Sequence, residues 1–378
     1  MDIICYSHLR WNFVYQRPQH LLSRFARQFR VFFIEEPLYD TEKPYLDNSL
    51  SREGVWIIVP HLQPGTNEKD TVLVQQELLK EFFDYFRISQ YIFWYCTPMA
   101  LAISQSFSPL LTIYDCMDEL SAFKNAPSRL KELEVILMKK ADLVFTGGQS
   151  LYEAKRDQHP CIFPFPSSID KKHFGKSRDL VIEPIDQFSI PHPRIGFFGV
   201  IDERMDLELL ENISRERPDW HFIIIGPVVK IDPASLPANS NIHYLGGKSY
   251  EELPTYLAGW DIAMMPFAIN ESTRFISPTK TPEYLAGGKP VVSTAIRDVV
   301  TPYGDKGLVY IAETPSEFIE GIEQELSMKN REGWLKAVDS FLEKISWDNT
   351  VEKMLFHINT KIESKQLNNL IKKENEYV

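Results

Sequence analysis

No stretch of this 378-residue chain approaches the roughly 20 consecutive apolar residues of a membrane-spanning helix. Cysteine is scarce. Cys5, Cys96, Cys116 and Cys161 are widely spaced and no C-x-x-C pair occurs, which fits a reduced, cytosolic protein without structural zinc. The opening MDIICYSHLR reads directly as a strand and lacks the basic-then-apolar pattern of a leader. No G-x-G-x-x-G follows the first strand of either half, so hydride-transfer cofactor binding is unsupported. The G-x-x-x-x-G-K-[ST] loop of P-loop ATPases is missing too, as are metal-ligand histidine spacing and a nucleophile elbow. There is no excess of positive charge. With 41 Lys+Arg against 52 Asp+Glu the net charge is −11, which argues against nucleic-acid binding.

What is present is globular: 44% hydrophobic and 25% charged residues, in a chain long enough for two α/β domains. Charge is uneven, with a net of −2 over residues 1–175 and −9 over the remainder. Five arginines (Arg10, Arg17, Arg24, Arg27, Arg30) crowd the first 34 residues, with Trp11, Phe13 and Tyr15 among them. This patch is either a solvated helix face or a surface for anionic lipid or a phosphorylated acceptor.

Short apolar strands alternate with amphipathic stretches. Candidate strands are 3–6, 31–34, 55–59, 91–95, 111–114, 143–146 and 161–165. After a break they resume at 195–200, 222–225, 243–245, 262–266, 291–293 and 308–311. This rhythm predicts an α/β fold of two Rossmann-like, doubly wound parallel sheets. The expected units are an N-terminal domain over 1–175, a charged, Pro-rich linker over 176–193 and a C-terminal domain over 194–347. A final helix over 348–378 is expected to cross back to the N-terminal domain. Ligands of open α/β sheets bind at the carboxyl ends of the strands, so a cleft between the two units is expected.

The stretch SPTKTPEYLAGGKPVV, Ser277 to Val292, reads as a short helix turning into a buried strand. Ser277 suits an N-cap, Pro278 the first helical position, and Gly287 and Gly288 a left-handed helix end. Free N–H groups would then face outward around Ser277, Pro278, Thr279 and Lys280, a natural anion site to which Lys280 adds a charge. Glu283 lies one turn further along the same face. A phosphate at the helix start and a hydroxyl pair at Glu283 would account for both residues, as would an ordinary surface ion pair.

The segments GVIDERMDLELL, HFIIIGP, NIHYLGGKSYEELPTYLAGWDIAMMPF and SPTKTPEYLAGGKPVVST occur in that order. This half resembles the C-terminal half of a GT-B glycosyltransferase, similar to glycosyltransferase family 4. ADLVFTGGQSLYEAK and FPSSIDKKHF resemble that family's N-terminal half, and RWNFVYQRPQHLLSRFAR resembles a bacterial subgroup that includes teichuronic-acid and other cell-envelope polysaccharide transferases. The resemblance covers roughly residues 1–345. It implies a GT-B architecture and metal-independent transfer of a sugar from a nucleoside diphosphate donor, UDP-linked by preference. The implied acceptor is a cell-envelope or exopolysaccharide glycan, either free or lipid-linked. The enzyme would be cytoplasmic, and peripheral at the membrane if the arginine patch holds it there.

By that resemblance the helix start at Ser277–Lys280 holds the donor diphosphate, Glu283 grips the ribose, and Arg204, following Gly199, contacts the diphosphate. Arg204 could instead pair with its acidic neighbours. Tyr244, Gly246, Gly247 and Lys248 match the segment where the base sits. The family's usual glutamate eight residues before the ribose glutamate is replaced by Phe275, which leaves retention or inversion open and makes Asn270 and Glu271 alternative donor-sugar contacts. Asp115 and Asp118, three apart at a strand end, are the candidate catalytic carboxylates, Asp118 for the chemistry and Asp115 in support. Arg17, Gln19 and His20 open the first helix, with Arg10 and Trp11 in the loop before it. This group is expected at the cleft rim for acceptor or diphosphate binding. Rival readings are a nucleotide-sugar epimerase on the same fold, a non-catalytic nucleotide-sugar-binding partner and a membrane-associated scaffold.

Overall fold

The computed structural model describes residues 1–180 and 182–376, with 369–376 as backbone alone. Two parallel sheets, each covered by helices on both faces, make up the molecule. The first contains β1 (Asp2–Tyr6), β2 (Arg30–Ile34), β3 (Leu38–Tyr39), β4 (Tyr45–Leu50), β5 (Val55–Leu62), β6 (Tyr91–Tyr95), β7 (Leu111–Cys116), β8 (Leu143–Thr146) and β9 (Ile162–Pro164). Its order is β3-β5-β2-β1-β6-β7-β8-β9, with β4 antiparallel on β5. The second contains β10 (Arg194–Phe198), β11 (His221–Ile225), β12 (Ile242–Gly246), β13 (Ile262–Met265), β14 (Val291–Thr294) and β15 (Tyr310–Ala312), in the order β12-β11-β10-β13-β14-β15.

The central strands are near-continuous apolar runs because both faces are covered. Every residue of β1, β6, β7 and β10 is buried. In each sheet the strand order reverses beside the first strand, at β1/β6 and at β10/β13, and the crevice above such a reversal is where ligands of this topology settle. The carboxyl ends of the two sheets face each other.

Two expectations about organisation need correction. Residues 176–193 are not a free linker, and the boundary at 175 falls too late. Ile169, Phe174 and Ile190 pack into the core of the second domain. Ser177 Oγ donates to the Gly287 carbonyl at 3.0 Å, and Gln187, fully buried, accepts from Trp260 Nε1 at 2.9 Å. The charge and proline content of this segment reflect a coat around the second domain, with Arg194 paired to Glu183. The second correction is an addition. Strands β3 and β4 have no apolar signature because they lie at an exposed edge, and β4 turns into β5 through Gly54 at φ 81°.

The last helix, Trp347–Glu376, leaves the second domain and packs on the first: Trp347, Val351, Met354 and Ile358 join its core. Residues 377–378 of the expected 348–378 segment lie outside the described residues. Among the described residues no helix is long and apolar enough to cross a membrane.

Candidate active site

A cavity of about 870 Å³ lies between the two sheets and takes its walls from both. The second domain contributes Gly199, Arg204, Gly247, Lys248, Ser277–Lys280 and Glu283; the first contributes the loop Trp11–Arg17, the hairpin tip Ser49–Glu53, Asp118 and Gly147.

The helix Lys280–Ala286 begins two residues later than expected. Ser277 does not cap it. Its Oγ accepts the Ser167 N–H from the other domain at 3.2 Å, and its carbonyl accepts the Ser167 hydroxyl. Thr279 takes the N-cap position without a side-chain bond, so no side chain of the helix competes for its first N–H groups. Lys280 and Glu283, one turn apart, both face the cavity. Burial pushes the Glu283 carboxyl up, and the Lys280 ammonium pulls it partly back. Burial and the Arg204 charge push Lys280 down, against the pull of Glu283. An anion arriving here would meet a cation already short of solvent.

Gly199 explains why β10 ends as it does. Its φ is 146°, and a Cβ there would stand 2.1 Å from Lys280 Cε. The lysine stem lies across the glycine backbone. Gly199→Ala is therefore expected to cost about 1–3 kcal/mol through backbone strain alone. It should also displace Lys280, so that chemical denaturation and nucleotide titration both register the change. Wild-type behaviour in both would remove Gly199 from the site.

Arg204 sits beside Gly199 in a side-on pair with buried Asp202, Nε to Oδ1 at 2.9 Å and Nη2 to Oδ2 at 2.7 Å. Its guanidinium also lies 5.5 Å from the Phe123 ring of the first domain. Burial works against its charge, and Asp202 more than restores it. The pairing fixes the plane of the fork and leaves Nη1 for a ligand.

Asp118 stands alone among the two candidate carboxylates in reaching the cavity. Burial pushes its carboxyl up to about 6, although Arg204 and Arg17 hold it down. Asp115, expected in support, lies in the layer beneath: fully buried, it accepts from Arg17 Nη2 at 2.7 Å and Nε at 3.1 Å. Arg17 reaches the cavity wall but is occupied by Asp115 and the Phe165 carbonyl. Trp11 lines the wall, its N–H held by Glu35 at 2.8 Å. Gln19, His20 and Arg10 do not line the cavity. Gln19 is buried as a capping partner of Gln16 and a donor to the Trp11 carbonyl. His20 stacks on Trp347 with ring centroids 4.6 Å apart, under the last helix. Arg10 pairs with Glu35 at 2.9 Å.

The N-terminal arginines all have acidic neighbours. Arg10, Arg17, Arg24, Arg27 and Arg30 each lie within reach of a carboxylate, from Glu35, Asp115, Asp348 (twice) and Asp2 respectively. Arg17 ties the first helix, Arg17–Phe25, to its own domain, and Arg24 with Arg27 just beyond its end ties it to the last helix.

In the base segment, Gly247 and Lys248 line the cavity, whereas Tyr244 and Gly246 do not. The Tyr244 hydroxyl donates to the Pro237 carbonyl, and Lys248 is paired with Asp186 at 2.7 Å. Asn270 caps a turn at Ser272, and Glu271 is exposed beside Arg274, so neither reaches the cavity. Phe275 packs against the core of the first domain, away from the cavity. The position of the family's usual glutamate is thus a peg between domains.

The sequence reading missed Gly147 and the hairpin tip. Gly147 was legible in principle: it is the first glycine of T-G-G-Q-S, and a Cβ there would lie 2.2 Å from the Met117 carbonyl oxygen, against the Asp118 turn. Among the described residues no group of three or more His, Cys, Asp or Glu side chains could hold a metal ion.

Residues 192–328 match the family described as Glycosyl transferases group 1. A curated protein of Bacillus subtilis (strain 168), TuaH, is 24% identical over 277 residues, 68% of each chain; its name describes a teichuronic acid biosynthesis glycosyltransferase. Among solved structures, sucrose-phosphate synthase from Thermosynechococcus elongatus superposes with a TM-score of 0.69 at 14% identity, covering 96% of this chain and 99% of that one. An E. coli structure titled for trehalose-6-phosphate, bound with UDP-2-fluoro glucose, gives 0.64 at 11% identity, covering 97% and 98%. The fold is GT-B. With the family match and the curated relative, it supports a glycosyltransferase of that type.

Proposed function

We propose that this protein moves a sugar from a UDP-sugar to a cell-envelope or exopolysaccharide glycan, lipid-linked or free, without a metal ion. One observation carries the reading: Lys280, Glu283, Gly199 and Arg204 line one wall of a cavity whose opposite wall presents Asp118. Opposed walls of this kind hold a charged donor on one side and activate an acceptor on the other.

In this reading the diphosphate rests on the open N–H groups at Thr279–Lys280, between the Lys280 ammonium and Arg204. These cations offset the charge that grows on the departing phosphate as the glycosidic bond breaks. Glu283 accepts the ribose hydroxyl protons. Asp118 takes the proton from the acceptor hydroxyl if the reaction inverts, or orients that hydroxyl if it retains. Asp115 and Arg17 hold the floor under it. Gly247 lets the backbone approach the base edge. The preference for uridine rests on the UDP-2-fluoro glucose held by the E. coli neighbour. The acceptor class rests on the name of the Bacillus relative. Because the five N-terminal arginines are paired internally, they give no support to a membrane-facing role.

A thermal-shift screen of nucleotides and nucleotide-sugars tests the donor half directly. A ligand at 100 times its Kd stabilises the native state by about 2.7 kcal/mol. UDP and one UDP-sugar are expected to raise the melting temperature well above the response to AMP or to free sugar. A flat response across the panel would end the reading.

A further inference from the structure

The Asp118 turn is gripped from behind by charges that neither the donor nor the acceptor needs. Glu119 does not line the cavity; its carboxylate meets the Lys155 ammonium at 2.7 Å and accepts the Ser121 hydroxyl at 2.6 Å. Lys155 is only 4% exposed and also donates to both oxygens of Glu134, each at 2.9 Å. The Tyr114 hydroxyl donates to the same Glu134 at 2.8 Å, and the Cys116 thiol lies 3.7 Å from the Asp118 carbonyl oxygen.

Lys155 ends the helix Gln149–Lys155, and the other end of that helix is held by the second domain. The N–H groups of Gln149 and Ser150 donate to the two carboxylate oxygens of Asp298, at 2.9 and 3.0 Å. Gly148 makes the approach possible, since a Cβ there would lie 2.4 Å from Asp298 Oδ2. A single short helix therefore spans from a carboxylate of the donor-side domain to the ammonium that holds the turn carrying Asp118.

Stability is a poor reason for such a cluster. Replacing buried ion pairs by well-packed apolar side chains is often neutral or stabilising, whereas an ammonium between two carboxylates fixes geometry. We infer that Lys155 is a positioning residue for Asp118, and that Asp298 registers the same helix to the donor-side domain. The inference rests on the proposed role of Asp118 in transfer. When the domains meet, the strut Asp298–helix–Lys155–Glu119 sets where the Asp118 carboxylate stands relative to the donor.

The test compares Lys155→Met, Lys155→Arg, Glu119→Gln and Asp118→Asn in the full chain. The readouts are UDP release from the UDP-sugar selected by the nucleotide screen, UDP affinity by calorimetry, and hydrogen exchange across residues 115–122. Lys155→Met and Glu119→Gln are expected to lower kcat at least 30-fold and speed exchange in that segment, with KM for the donor and UDP affinity within twofold of wild type. Lys155→Arg should recover most of the rate. Glu119→Gln keeps the test open if Lys155→Met fails to fold. Unchanged kcat in Lys155→Met and Glu119→Gln, with Asp118→Asn inactive, overturns the strut and leaves Asp118 in place. Equal losses of kcat and UDP affinity also overturn it, since they mark general damage. Full turnover by Asp118→Asn would instead remove the reading on which the strut rests.

Discussion

Asp118→Asn is expected to lower transfer at least 100-fold and to leave UDP affinity within a factor of two. General-base assistance by a positioned side chain contributes about 10²- to 10⁴-fold. Asp118 is the carboxylate of the first domain's strand ends that reaches the cavity, whereas Asp115 is consumed by Arg17. The pH dependence makes the claim sharper. Burial raises the Asp118 carboxyl to about 6, so below that pH it holds a proton and cannot take one from the acceptor. The rate should therefore rise with pH through about 6 and level off above it. The asparagine variant should lose that limb along with the rate, because nothing at position 118 then titrates. A variant that transfers at wild-type rate, or that keeps the limb, takes Asp118 out of the chemistry.

Residues that face one environment all along an element were readable in advance; residues whose role depends on a distant partner were not. The thirteen expected strands all occur, with ends within about three residues of those observed, because most are covered on both faces and their apolar runs need no context. Strands β3 and β4 escaped notice for the opposite reason: they sit at an edge and bury little. Lys280 and Glu283 were legible because a single helical turn places both on one face. Ser277 was misread as a cap because its true partner, Ser167, lies 110 positions away. The acidic partners of the N-terminal arginines were hidden on the same ground. Charge counting along 34 residues cannot see Asp348, which holds both Arg24 and Arg27 from the other end of the chain. His20 and Gln19 follow a helix start in sequence, but both are buried there: His20 stacks on Trp347 of the last helix and Gln19 is held by the Trp11 carbonyl. The linker failed for a compositional reason: proline and charge mark irregular backbone, and irregular backbone can be bound tightly to a surface through groups such as Arg178 and Gln187.

Glu283→Ala is expected to weaken UDP binding about 10- to 100-fold, the scale of losing charge-assisted hydrogen bonds in a buried site. The carboxylate is 5% exposed, and burial pushes its proton affinity up while Lys280 opposes the shift. Two effects then compete in the variant. The ribose loses its acceptor, which weakens binding. Lys280 loses the neighbour that favours its charge, so part of the ammonium is lost from the phosphate site as pH rises, which weakens binding again. These contributions separate chemically. A ribose contact requires the hydroxyl, so wild-type protein should prefer UDP to 2′-deoxy-UDP, and the alanine variant should lose most of that preference. An effect carried only through Lys280 would weaken both nucleotides equally and would grow with pH between about 7 and 9, where burial has brought the lysine into range. Glu283→Gln keeps an acceptor oxygen without the charge and should fall between wild type and alanine. Equal affinity of all three proteins for UDP would place the pentose elsewhere. The wall formed by Gly199, Arg204 and Lys280 would then have to be read as a site for some other anion.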